Sequence, residues 1–286
     1  GDLFLATGNS KGVIPACNLY PNDRDPEFEA KVHAYVDDLS AQNVPLMVTE
    51  TNRSHFLLRR LLAGGAKLLG PYLQVSGTNF GFTNAANNWG DPLALLTSDY
   101  DFGGMISSVG EVRPEAYEGR LMSRVIQAAG DSLALSSYTN DHGFTLSGAS
   151  SYEVTGPNVL QLYGGGYLYS LPNVSNQEQT VAIHIEGHIF PEHTTLRIPE
   201  GCCPLFLAQT PLSHWGVPQG KVEFASAELI YAQTQGDQTY FVFSGQGESE
   251  LSLSLPNLLE VETNSDLQLK QEGERIILTA QRNAAG

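Results

Sequence analysis

The chain has 286 residues, with 15 Lys+Arg against 31 Asp+Glu and a formal net charge of -16. That length suits one large domain or two ordinary ones, and 41% hydrophobic with 9% aromatic residues excludes a disordered chain. So acidic a chain repels phosphate backbones and anionic headgroups, which argues against nucleic acid or a membrane surface as partner and leaves a neutral sugar unpenalised.

No apolar run reaches the length of a transmembrane helix, and no basic-then-apolar leader opens the sequence. The start GDLFL is not a natural initiation site, so a preceding segment is expected. Cys17 and the adjacent Cys202 and Cys203 make an odd set, and adjacent cysteines rarely bridge. Reduced thiols are therefore expected, which favours a cytoplasmic location.

Up to residue 130, strand-like and helix-like runs alternate. Residues 13–20 (VIPACNLY) read as a short apolar strand. A helix is predicted over 27–39, with Phe28, Val32, Tyr35, Val36 and Leu39 on one face, Asp25 as N-cap and Pro26 at the first helical position. Residues 44–49 (VPLMVT) form a fully apolar strand of the kind buried in a parallel sheet. A second helix follows at 54–62, stopped by Gly64-Gly65, and a third strand at 67–75. Pro114 opens a last helix that is expected to end at Gly130. Strand–helix alternation with short connections predicts βαβ units and a parallel sheet.

From residue 131 the helical period disappears. Short strands are predicted at 159–170, 180–185, 194–198, 204–208, 227–232, 239–243, 250–255, 266–270 and 275–280, divided by turns such as Pro172-Asn173 and Gly236-Asp237. The expected fold is thus α/β at 1–130 and antiparallel, sandwich-like β at 131–286.

Glu50 ends the VPLMVTE run. A carboxylate directly after a buried strand is costly unless it is solvated, hydrogen-bonded or put to use, so a surface position and a catalytic one both fit. SGTNFGF (76–82) follows the next strand, and TSDYD (97–101) lies further on. Glu50, Asn79, Tyr100 and Asp101 then fall on adjacent loops in this order. Tyr100 fits either a phenol beside the carboxylate or a packed ring; Asn79 either bonds a substrate hydroxyl or braces its loop. Trp89 and Tyr72 suit an aromatic stacking surface as well as they suit a loop anchor and core. His184, His188 and His193 recur at spacing that does not fit a helical metal pair, and Gly164-Gly165-Gly166 precedes no helix, as a phosphate loop would require.

VTE (48–50), SGTNFGF and TSDYD together resemble motifs of glycoside hydrolase family 35, the β-galactosidases, and the segments LQLYGGGYLYSLPNVSNQEQTVAIHI, LRIPEGCCPLFLA and AELIYAQ resemble the β domain that follows its barrel. The resemblance implies retaining hydrolysis of terminal β-galactosides at a (β/α)8 barrel, with Glu50 as nucleophile on the seventh strand, and no metal or cofactor. It implies Tyr100, Asn79 and Trp89 as substrate-binding residues. The strands at 13–20 and 67–75 become the sixth and eighth, and residues 3–6 a remnant of the fifth. The acid/base, usually the Glu of an Asn-Glu pair, is then expected upstream of Gly1, since that dipeptide does not occur here. The missing half of the barrel, or an oligomeric partner, is expected to complete the front part, whose open strand edges favour aggregation. Thr51 stands where the family often has an aromatic residue, and one Tyr of its TSYDY motif is absent. Two other functions fit the same residues: a non-catalytic carbohydrate-binding or scaffold module, and a related hydrolase acting on another β-glycoside.

Overall fold

The computed structural model describes residues 11–83, 85–86, 95–96, 98–256 and 267–280, and this part of the chain is mostly sheet with three α-helices. Residues 3–6 lie outside it.

The chain begins with β1 (Cys17–Leu19), α1 (Phe28–Ser40), β2 (Met47–Thr51), α2 (His55–Ala63) and β3 (Leu68–Pro71). The three strands pair in parallel in the order β1-β2-β3. Val48, Leu46, Phe28, Val32, Leu39, Leu57 and Leu61 form one core between this sheet and the two helices. Its other side carries Asn18, Thr49 and Leu68 to the surface. α1 starts one residue later than expected and has no side-chain cap. Asp25 instead braces the approach, its carboxylate accepting from Glu27 N–H at 2.9 Å. Gly64 ends α2, and a Cβ there would meet Val32 Cγ1 at 2.7 Å, so a larger residue would push the two helices apart.

Next come four two-residue strands, β4 (Gly77–Thr78), β5 (Ala85–Ala86), β6 (Leu95–Leu96) and β7 (Asp99–Tyr100), with β4 pairing β7 and β5 pairing β6. Helix α3 (Pro114–Ala134) is broken at Gly130, where the sequence places its end. That residue is non-helical, at φ 53, ψ -136, and a short further helical turn beyond it carries Ser132 and Leu133 into the core.

The rest is antiparallel: β8 (Ser137–Thr139), β9 (Thr145–Ser147), β10 (Asn158–Gln161), β11 (Tyr167–Ser170), β12 (Gln179–Ile185), β13 (His188–Phe190), β14 (Leu196–Ile198), β15 (Leu205–Pro211), β16 (Lys221–Ala225), β17 (Glu228–Gln235), β18 (Gln238–Ser244), β19 (Ser249–Ser254), β20 (Leu267–Glu272) and β21 (Arg275–Ala280). The run at 159–170 is therefore not one strand but a hairpin. Gly164, Gly165 and Gly166 turn it at φ 86, 106 and 81, and a Cβ on Gly166 would lie 2.4 Å from Thr210 Cα.

Eight strands form one sheet in the order β20-β21-β19-β16-β15-β11-β10-β8, and β12 with β9, β13 and β14 forms a second. The second sheet packs on one face of the first through Val181, Ile183, Ile185, Phe190, Tyr169, Phe206 and Phe224. The opposite face is covered by α2, α3 and the β17–β18 hairpin, joined in one core by Leu58, Leu62, Met122, Val125, Leu160, Leu168, Leu207 and Leu229. Buried ion pairs add to these contacts. Arg59 of α2 pairs with Glu228 of β17, whose carboxylate also accepts Leu205 N–H at 2.8 Å, and Arg60 pairs with Glu29 of α1.

Candidate functional site

Parallel pairing places the ends of β1, β2 and β3 side by side. Glu50 stands opposite Asn18 on β1, two residues before Tyr20, while Tyr72 follows β3 and donates its backbone N–H to Thr51 O at 2.8 Å. This register lets the Tyr20 hydroxyl donate to Glu50 Oε1 at 2.7 Å. Among the described residues the second oxygen of Glu50 has no hydrogen-bond partner. Thr51, the next residue, is buried with its hydroxyl on Leu19 O, so it locks β2 to β1 and offers nothing to the site.

The two loop motifs come together as well. Gly77 pairs with Tyr100 and Thr78 with Asp99 across β4 and β7, and the Tyr100 and Tyr72 hydroxyls lie 2.6 Å apart. Phe102 meets the Tyr100 ring edge-on at 5.0 Å. Tyr20, Glu50, Tyr72 and Tyr100 thus form a carboxylate-and-phenol cluster at the carboxyl ends of the strands.

Asp101 takes a different part. Arg113 grips its two oxygens at 3.0 and 2.8 Å, Ser76 Oγ donates at 2.8 Å, and Gly103 N–H adds 2.9 Å. The Arg113 hydrogen bonds come first among the causes that hold its carboxyl well below the usual carboxylate range. A carboxylate so committed is an anchor: it ties the Tyr100 loop to the start of α3. Arg53, just after β2, donates to Gly103 O and links the Glu50 loop to the same anchor.

Asn79 sits at the turn after β4. Its backbone N–H bonds Ser98 O at 2.8 Å and its carbonyl accepts from Phe82 N–H at 2.9 Å, while the neighbouring Phe80 is 99% exposed. Trp89 and Thr97 lie outside the described residues. Tyr20 is the cluster member that the sequence motifs do not single out. Its signal is its place at the end of an apolar run, topologically equivalent to Glu50.

Local desolvation first, then its hydrogen bond to Glu50 and the charge of that carboxylate, push the half-exposed Tyr20 phenol up to about 12. Tyr72 is also pushed up to about 12, first by its hydrogen bond to Tyr100. Both phenols therefore stay protonated at neutral pH, Tyr20 as a donor to the carboxylate. Alkaline titration followed by tyrosinate absorbance should show Tyr20 ionising later than a free phenol, and Glu50→Gln should move it earlier. An unmoved Tyr20 titration would mean that the 2.7 Å contact is not made in solution.

A carboxylate held by one phenol, with no partner for its second oxygen among the described residues, can attack an electrophilic carbon or take a proton. The buried carboxylates are committed elsewhere: Glu29 and Glu228 are each paired with an arginine, and Glu250 accepts the Glu192 and His193 N–H groups at 2.8 and 2.7 Å. Among the described residues no three His, Cys, Asp or Glu side chains are placed to hold a metal, and His184 is hydrogen-bonded to Ser147 Oγ at 2.8 Å. No helix among them is long and apolar enough to cross a membrane. Neither a protein-family model nor a curated protein sequence matches the chain.

Proposed function

We propose that the chain is the carboxyl part of a retaining β-galactosidase-like glycoside hydrolase, similar to family 35, with Glu50 as the nucleophile. The observation that carries this reading is the cluster at the strand ends: Glu50 accepts from Tyr20 Oη, and the Tyr72–Tyr100 pair lies beside it. The order β1-α1-β2-α2-β3, with parallel strands and both helices packed on one side, supports reading 1–130 as the last part of a (β/α) barrel. Residues 131–286 are then the β domain that follows it.

On this reading Glu50 attacks the anomeric carbon of a terminal β-galactoside as the glycosidic bond breaks, leaving a covalent glycosyl ester that water later hydrolyses. Tyr20 holds one carboxylate oxygen so that the other faces the sugar. Tyr100 and Asn79 bind sugar hydroxyls, and Trp89 offers a stacking surface. Protonation of the leaving oxygen falls to a second carboxylic acid, about 5–5.5 Å from Glu50 in a retaining site. That acid comes from a further barrel segment or a partner chain, and neither a metal nor a cofactor takes part.

A substrate whose leaving group needs no proton isolates the first half of this chemistry. Incubation with 2,4-dinitrophenyl 2-deoxy-2-fluoro-β-galactoside should leave one fluorogalactosyl unit on the peptide containing Glu50, read by mass spectrometry. Labelling elsewhere, or labelling that survives Glu50→Gln, overturns the assignment.

A further inference from the structure

The β17–β18 hairpin has one face in the core and one in solvent. Ile230, Ala232, Phe241 and Phe243 pack inward, with Phe241 edge-on to Trp215 at 5.5 Å and Trp215 Nε1–H donating to Ala128 O of α3 at 2.7 Å. The ribbon is therefore a braced platform, not a free hairpin.

Its outer face is unlike the rest of this acidic chain. Tyr231 pairs with Val242, Gln233 with Tyr240, and Gln235 with Gln238, so the outer face carries two phenols, three amides and a valine, and no charge. Tyr240 is 48% exposed and Val242 46%.

A β-bulge makes this face. Leu229 pairs with Phe243 and Tyr231 with Val242, so one extra residue on β17 separates two rungs that are adjacent on β18. Side chains two apart on a regular strand share a face, which would turn Tyr231 inward beside Leu229. The bulge re-phases the strand and aims Tyr231 outward into line with Gln233 and Tyr240.

The rings are also held in place. The Tyr231 hydroxyl donates to Gln233 Oε1, and the Tyr240 hydroxyl donates to Gln238 Oε1 at 2.6 Å. Each phenol is thereby tied to the amide two residues away on its own strand, with the amide oxygen as acceptor. Tyr rings supply rigid amphipathic contact area at low entropic cost.

We propose that this face is a carbohydrate-binding platform for a neutral oligo- or polysaccharide. The pyranose C–H faces would lie on Tyr231 and Tyr240, and sugar hydroxyls would accept from the amides of Gln233 and Gln238. An uncharged face on a chain of net charge -16 suits an uncharged ligand, which pays no electrostatic penalty there. This second sugar site does not depend on the chemistry assigned to Glu50.

Native affinity electrophoresis of the full chain in gels containing β-galactan, galactomannan, xylan or mixed-linkage β-glucan tests the proposal. At least one of these polymers should retard the chain, and Glu50→Gln should be retarded equally. Tyr231→Ala or Tyr240→Ala should each weaken retardation about fivefold, and the double variant more than tenfold. Both substitutions are on an exposed face, and a circular dichroism spectrum identical to that of the parent confirms that the fold persists. Absence of retardation by all four polymers overturns the proposal, as does retardation that survives in the double variant. A dimer seen by light scattering that dissociates in the double variant, without polysaccharide binding, would instead make the face a contact between copies of this chain.

Discussion

Replacing Arg60 with leucine is expected to lower the unfolding free energy by about 3–5 kcal/mol, the usual cost of breaking a buried ion pair from one side. Arg60 is fully buried, and its Nε and Nη2 each donate to the Glu29 carboxylate at 2.6 Å. It also donates to the backbone oxygens of Asp23 and Asp25, and its guanidinium lies over the Phe28 ring at 4.6 Å. Leucine fills part of the volume but leaves Glu29 buried and uncompensated, with two carbonyls unbonded. The double variant Glu29→Met/Arg60→Leu should recover most of the loss, because an apolar pair of similar volume removes the charge together with its partner. Urea denaturation measures both. A loss under about 1 kcal/mol for Arg60→Leu would show that water reaches the pair in solution.

The second large effect is on catalysis. In a form of the protein that hydrolyses an aryl β-galactoside, Glu50→Gln is expected to reduce turnover on the order of 10⁴-fold, roughly 5.5 kcal/mol of transition-state stabilisation. The amide is isosteric with the carboxylate but cannot form the glycosyl ester. Added azide should restore turnover and give a glycosyl azide of inverted configuration, because a small anion fits where the carboxylate oxygen stood. Tyr20→Phe should act in the same direction but more weakly, since it removes one hydrogen bond and leaves the nucleophile. Full activity in Glu50→Gln would exclude Glu50 as nucleophile. Lost activity without azide rescue would assign it a supporting role.

Helices α1 and α2 were legible in the sequence to within one or two residues, because amphipathic period and glycine stops are local signals. The strands at 180–185, 194–198, 239–243, 250–255, 266–270 and 275–280 were equally legible, whereas β8, β9, β13 and β16 were not. The stop at Gly130 was legible too, whereas the run at 159–170 misled, because whether a glycine turns a strand depends on what packs against it. There Thr210 closes on Gly166 and leaves room only for a glycine turn.

At the candidate site, the sequence by itself marked Glu50 as a carboxylate at the end of a buried strand and set Asn79 and Tyr100 on loops that follow. It could not show that Tyr20 is the residue that holds Glu50, since 30 residues separate them and only the parallel register of β1 and β2 joins them. Nor could it show that Asp101, beside Tyr100, is a structural anchor. That role comes from Arg113, Ser76 and two backbone N–H groups converging on one carboxylate. Local chemistry and periodicity are written residue by residue along the chain. Which charge meets which partner is decided by pairing across strands and helices, and tertiary structure alone fixes it.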